Sequence, residues 1–100
     1  MTDKELIELA ANAAGIEIWF NDSGTPWVDG DKYIWNPLTD DGDALRLAVK
    51  LELMVNVSEY WVKVFDYRHE TVTEKTNNDP YAATRRAITR AVAEIGRSTK

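Results

Sequence analysis

The stretch from Asn77 to Gly96, NNDPYAATRRAITRAVAEIG, constrains the fold most. Asp79 is a good N-cap, and Pro80 fits the first helical position, where its missing N–H goes unused. Ile88, Ala91, Val92 and Ile95 recur at about 100° per residue and line one side of a helix. Arg86, Arg90, Glu94 and Arg97 line the opposite side, with an Arg90–Glu94 pair in reach, and Gly96 reads as the stop. An amphipathic helix of this length needs an apolar surface to cover. The rest of the chain has to supply it.

Three further kinds of element do so. In the opening TDKE, Thr2 can cap a helix while Glu5 reaches back to it. Leu6, Leu9, Ala10 and Ala13 then follow at helical spacing, and Gly15 suits the left-handed end, which predicts a helix over residues 3–14. Ile16–Phe20 (IEIWF) is β-branched and aromatic and reads as a strand. Ile16, Ile18 and Phe20 share one face of it, Glu17 and Trp19 the other. NDSGTP is a loop by its turn chemistry, and WVDGDKYIW reads as a hairpin turning at Asp29-Gly30. A second helix opens near Asp41–Asp43 and ends near Leu51 or Leu53. Its stripe is Ala44, Leu47, Ala48 and Leu51, and Leu45 and Val49 widen it, so burial on most sides is expected. Three strands follow in meander order, over Met54–Val57, Tyr60–Tyr67 and His69–Thr76. The last is polar and threonine-rich and suits a sheet edge. The order α-β-(ββ)-α-β-β-β-α predicts an α+β fold: one antiparallel-rich sheet with three helices packed against it. One domain covers residues 1–100, with a frayed tail at 97–100.

Composition narrows the function classes. A hydrophobic content of 44% with 29% charged residues places the chain among ordinary globular proteins. No apolar run approaches the roughly 20 residues of a membrane span, and MTDKELIELA puts acids where a signal peptide needs a basic start. A cytoplasmic protein, with no membrane partner, is the expectation. The chain has no cysteine, which removes disulfides, thiolate catalysis and zinc–thiolate sites together. Net charge is −5, unevenly spread: residues 1–44 hold ten acids and two bases, residues 45–100 seven acids and ten bases. That is not the broad basic footprint of a nucleic-acid binder, so nucleic acid is not the expected partner.

Several positions together resemble a known family. Trp35, Pro37, Asp43 and Ala44 lead into the second helix, Trp61 sits in an aromatic strand, and Asp79, Pro80, Ala83, Arg86, Ala87 and Ile88 open the last helix. This pattern, over roughly residues 35–96, is similar to the small phage proteins grouped as the phage ABA-sandwich domain family. The DPYAATRRAI segment carries most of the likeness. The resemblance implies an α/β/α-type sandwich and a phage or prophage origin in a bacterial host cell. It implies no activity. The helix-opening TDDGD is richer in aspartate than the simplest form of that pattern.

Candidate sites follow from residue chemistry. Asp40, Asp41 and Asp43 start a helix, where each acid stabilises the unsatisfied amides by about 0.3–1 kcal/mol. The same acids, with Asp29 and Asp31, form a possible contact for a basic partner. The calcium-loop pattern is not matched, and no metal site is assigned. Trp19, Trp61, Phe65 and Tyr67 fall on the mixed faces of their strands and suit a protein partner if the helices cover the opposite face. Arg86, Arg90 and Arg97 form a basic stripe that could serve phosphates. His69, the only histidine, falls in a turn, and no phosphate-cradling loop or nucleophile elbow occurs. The expected reading is a non-enzymatic module that takes no cofactor and binds a host or phage protein, as an acidic competitor for basic surfaces in host-defence or nucleic-acid-processing complexes. Two alternatives use other surfaces. One is a nucleic-acid-binding module built on the arginine stripe and sheet aromatics. The other is a nucleotide-type ligand pocket near Trp27 or Trp35.

Overall fold

The computed structural model describes residues 1–28, 30 and 33–98. The elements are α1 (Asp3–Ala14), β1 (Ile18–Phe20), β2 (Pro26–Val28), α2 (Asp41–Lys50), β3 (Met54–Val57), β4 (Trp61–Phe65), β5 (Thr71–Lys75) and α3 (Pro80–Ser98). This is the expected order and an α+β fold. The strands divide into two small antiparallel sheets, β1-β2 and β3-β4-β5.

Local chemistry accounts for most boundaries. Thr2 Oγ1 accepts from the Glu5 amide at 3.1 Å while Glu5 Oε1 accepts from the Thr2 amide at 3.4 Å, closing the capping box on α1. Gly15 ends α1 at φ 71°, a left-handed cap that glycine adopts without strain. Asn21 Oδ1 accepts from the Ser23 and Thr25 amides and sets the turn between β1 and β2. The expected hairpin continues as a Trp27–Ile34 bridge, with the Val28 amide donating to Tyr33 O at 3.1 Å. Its Asp29 turn residue lies outside the described residues.

Helix α3 is the hub. It packs against α1 on one side, α2 on another, and all three strands of the β3-β4-β5 sheet. Ile88, Ala91, Val92 and Ile95 are buried as the spacing predicts, but so are Ala83, Ala87, Thr89, Ala93 and Gly96. The helix is therefore enclosed on more sides than a two-faced pattern implies, because alanines and a glycine let α1 come close. Gly96 is not the stop. The helix runs two residues past it, and a Cβ at Gly96 would collide with the Leu9 carbonyl oxygen of α1. Glycine is there for helix–helix approach.

The core joins both sides of α3. Leu47, Val62, Val64 and Val92 are almost wholly enclosed, each contributing about 1.5–3 kcal/mol by leaving water. Trp35 is 3% exposed and belongs to this core. One edge of its ring also lines a cavity of about 380 Å³ shared with Val28, Tyr33, Asp43 and Arg46. In the three-stranded sheet, Val62, Val64 and Val72 point inward, with Val55 partly covered. No helix among the described residues packs on the other face. The layers run α1, then α3 with α2, then sheet.

Candidate functional site

The acidic helix start is an internal structure. Asp40 is the N-cap of α2 and accepts from the Asp43 amide at 2.8 Å. Asp43 is buried at 4% exposure. Its Oδ2 accepts from the Asn36 amide at 3.0 Å, and its Oδ1 from Arg46 at 2.6 Å. This bond raises the Arg46 guanidinium above its ordinary value, against the opposing cost of desolvation. Asp43 thus ties the Trp35–Pro37 segment to the first turn of α2. Asp41 stays exposed but pairs with Arg85 at 2.6 Å, while Arg85 Nε donates to Leu38 O at 2.9 Å. The three acids serve the fold from one helix end. Asp29 and Asp31 lie outside the described residues. Among the described residues, no group of three or more metal-ligating side chains gathers.

The arginine stripe is also occupied. Arg86 pairs with Asp3 of α1 at 3.1 Å and approaches Glu74 at 4.0 Å. Arg90 pairs with Glu74 and donates to Thr73 O. The expected Arg90–Glu94 pair is replaced, because Glu74 reaches Arg90 from the sheet; Glu94 meets Arg97 at 3.8 Å instead. Two of the three arginines thus pair with acids of neighbouring elements, each staying about two-fifths exposed.

The aromatic residues separate into two places. Trp19 lies in β1, 49% exposed, and stacks on Trp27 with centroids 6.2 Å apart and planes 18° apart. It does not share a face with Trp61 and Phe65, because the strands form two sheets. On the three-stranded sheet, the face away from α3 is open. Trp61, Lys63 and Phe65 of β4 point to it, Trp61 being 44% exposed. Their register partners, Met54 and Asn56 of β3 and Thr71, Thr73 and Lys75 of β5, share that face. None of these residues is acidic. Lys75 Nζ sits 5.7 Å over the Trp61 ring. Tyr60 and Tyr67 stand exposed at the ends of β4, and His69 is exposed in the β4–β5 turn.

Two features escape sequence reasoning. Asp66 is buried in that turn. Its Oδ1 accepts from the Arg68 and Glu70 amides, and its Oδ2 from the Arg68 side chain at 2.8 Å. Burial disfavours its charge, but these hydrogen bonds outweigh it and hold its carboxyl below the ordinary value. An aspartate two residues before an arginine, closing a strand, was the available signal. The second feature is an apolar groove of about 530 Å³ between α2, β3 and the start of α3. Ala48, Val55, Val57 and Ile88 form its floor and Leu45 and Tyr81 its rim. Leu45 and Val49, expected to be buried, are 63% and 71% exposed. The helix is covered on its α3 side, and Leu45 lines the open groove beside β3.

Comparison with known protein families, with curated proteins and with solved structures finds no match to this chain.

Proposed function

We propose that the protein is a non-enzymatic binding module, of the kind small phage and prophage proteins supply, and that its working surface is the open face of the β3-β4-β5 sheet. The observation that carries this reading is that Trp61 and Phe65 line a sheet face that no helix among the described residues covers, beside Lys63 and Lys75. Rigid aromatic side chains give large contact area at little entropy cost, and such residues dominate protein-binding energy. The charges on this face are lysines, so its partner presents an acidic surface. The opposite idea, an acidic competitor for basic proteins, has less support, since Asp40, Asp41 and Asp43 are engaged internally.

The test is capture from bacterial lysate, with nuclease present, by the wild-type chain, a Trp61→Ser/Phe65→Ser variant and a Lys63→Glu/Lys75→Glu variant. A protein retained by the wild type and lost by both variants supports the reading. Equal retention by all three overturns it. A second reading, single-stranded nucleic acid on the same face, is favoured by the lysines and the absence of acids among these strand positions. The chain's net charge of −5 opposes it. Salt-sensitive quenching of tryptophan fluorescence by an oligonucleotide, lost in Trp61→Ser, would establish it instead.

A further inference from the structure

The two edges of the three-stranded sheet are treated differently. Strand β5 (TVTEK) carries Glu74 and Lys75, and Glu74 is tied to Arg90 of α3. Charges on an edge discourage pairing with another chain. Strand β3 (MVNV) has no charge, no proline and no glycine, and it borders the apolar groove. Its backbone can be read residue by residue. The Ser58 amide donates to Trp61 O at 2.9 Å, so that pair is hydrogen-bonded. Hydrogen-bonded and non-hydrogen-bonded pairs alternate along an antiparallel ladder. In the observed register, Asn56–Lys63 and Met54–Phe65 are then hydrogen-bonded too. Val55 and Val57 therefore turn their N–H and C=O groups to the open edge.

We propose that β3 is the seam of a two-fold dimer, in which it pairs antiparallel with β3 of a second copy. Val55 then lies opposite Val57 of the second copy, and Asn56 opposite its own equivalent on the axis. This register uses all four outward backbone groups of each strand and joins the two sheets into one of six strands. A second copy fits because the outward groups of Val55 and Val57 flank Asn56 evenly and complement themselves about a two-fold axis, and electrostatics does not oppose it. Identical charged surfaces repel, whereas this one carries no net charge: its charged lining residues, Asp41 and Arg85, neutralise each other. Two-fold pairing also covers Leu45 and Val57 of both copies, which line the groove and are exposed in one. Symmetric dimers bury such apolar patches against themselves. The proposal does not rest on the reading of the open face.

The test exploits the absence of cysteine in the chain. On a two-fold axis, the non-hydrogen-bonded Asn56 pair has Cα atoms about 4.5 Å apart, within disulfide range. Asn56→Cys is expected to cross-link under mild oxidation, and Met54→Cys, which faces residue 58 of the second copy, is not. Sedimentation of the wild type is expected to show twice the chain mass, and Val57→Lys, at an exposed position, the single mass with an unchanged circular dichroism spectrum. A wild type that stays single at millimolar concentration overturns the proposal. So does equal cross-linking of the two cysteine variants, or a folded Val57→Lys that remains double. Should Val57→Lys fail to fold, the cysteine pair decides alone.

Discussion

Asp66 offers the sharpest check on how the sheet is held. Its side chain is 2% exposed and that of Arg68 is 27% exposed. One oxygen accepts two backbone amides; the other accepts Arg68 Nε and a terminal nitrogen. Arg68 continues to Ser98 at 2.9 Å, so the turn is fastened to the end of α3. Asp66→Asn keeps an oxygen for the two amides and loses the charged pair, at a cost of about 1–2 kcal/mol, since Arg68 regains some water. Asp66→Ala also strands both amides and costs about 3 kcal/mol in all. For a domain of this size each kcal/mol lowers Tm by about 4–8 °C. The pH dependence has a defined sign. The folded carboxyl lies below the unfolded value of 3.8, so its stabilisation is full above that pH and disappears as pH falls through the folded value. Urea unfolding of the three proteins at neutral pH and in acid measures this. The gap between wild type and Asp66→Asn should close in acid. A gap that is absent at neutral pH, or that persists unchanged well below 3.8, refutes the reasoning.

Other substitutions test other joints. Gly96→Ala drives a methyl group into the Leu9 carbonyl and should cost more than about 2 kcal/mol by thermal unfolding, opposite to the gain alanine brings to an open helix. Asp43→Ala strands the Asn36 amide and frees Arg46, and should cost about 1–3 kcal/mol in urea unfolding. Asp41→Ala, which breaks only a partly exposed ion pair, should cost under about 1 kcal/mol in the same assay. Trp61→Ser should cost about 1–2 kcal/mol, less than the roughly 3–5 kcal/mol of a core tryptophan, because nearly half its surface is already wet. A loss as large as a core tryptophan's would mean that the face is covered.

Local signals in the sequence carry the elements well. The Thr2–Glu5 box, Gly15, Asp40 and Pro80 all mark ends that the structure confirms, because capping depends on neighbours within four residues. The valine alternation in β4 correctly identifies the buried face. What fails is whatever depends on distant partners. Leu45 and Val49 satisfy the helical period, yet both stay mostly exposed, since periodicity records a potential for burial and not the presence of a neighbour. Gly96 has the chemistry of a stop and the role of a contact point, which only the position of Leu9 reveals. Trp19 and Trp61 read alike in sequence and fall in separate sheets, because pairing between strands is a long-range choice.

The charge asymmetry of the chain takes a different meaning in the fold. The first half is rich in acids and the second in bases, which in sequence suggests an acidic face offered to a partner. In the structure the two halves answer each other. Asp3 of α1 meets Arg86 of α3, and Asp41 of α2 meets Arg85 of α3. Much of the apparent dipole is therefore consumed in docking the first two helices on the last one. Pairs of this kind add little stability where exposed, but they penalise mispacked arrangements of helices whose contacts are largely alanine, and alanine faces alone discriminate poorly between registers. Surfaces left outside this internal accounting are the ones open to other molecules. They are the lysine-bearing aromatic face of the sheet and the uncharged edge of β3. Neither is visible in net charge, and both arise because the helices cover one side of the sheet and stop short of one edge.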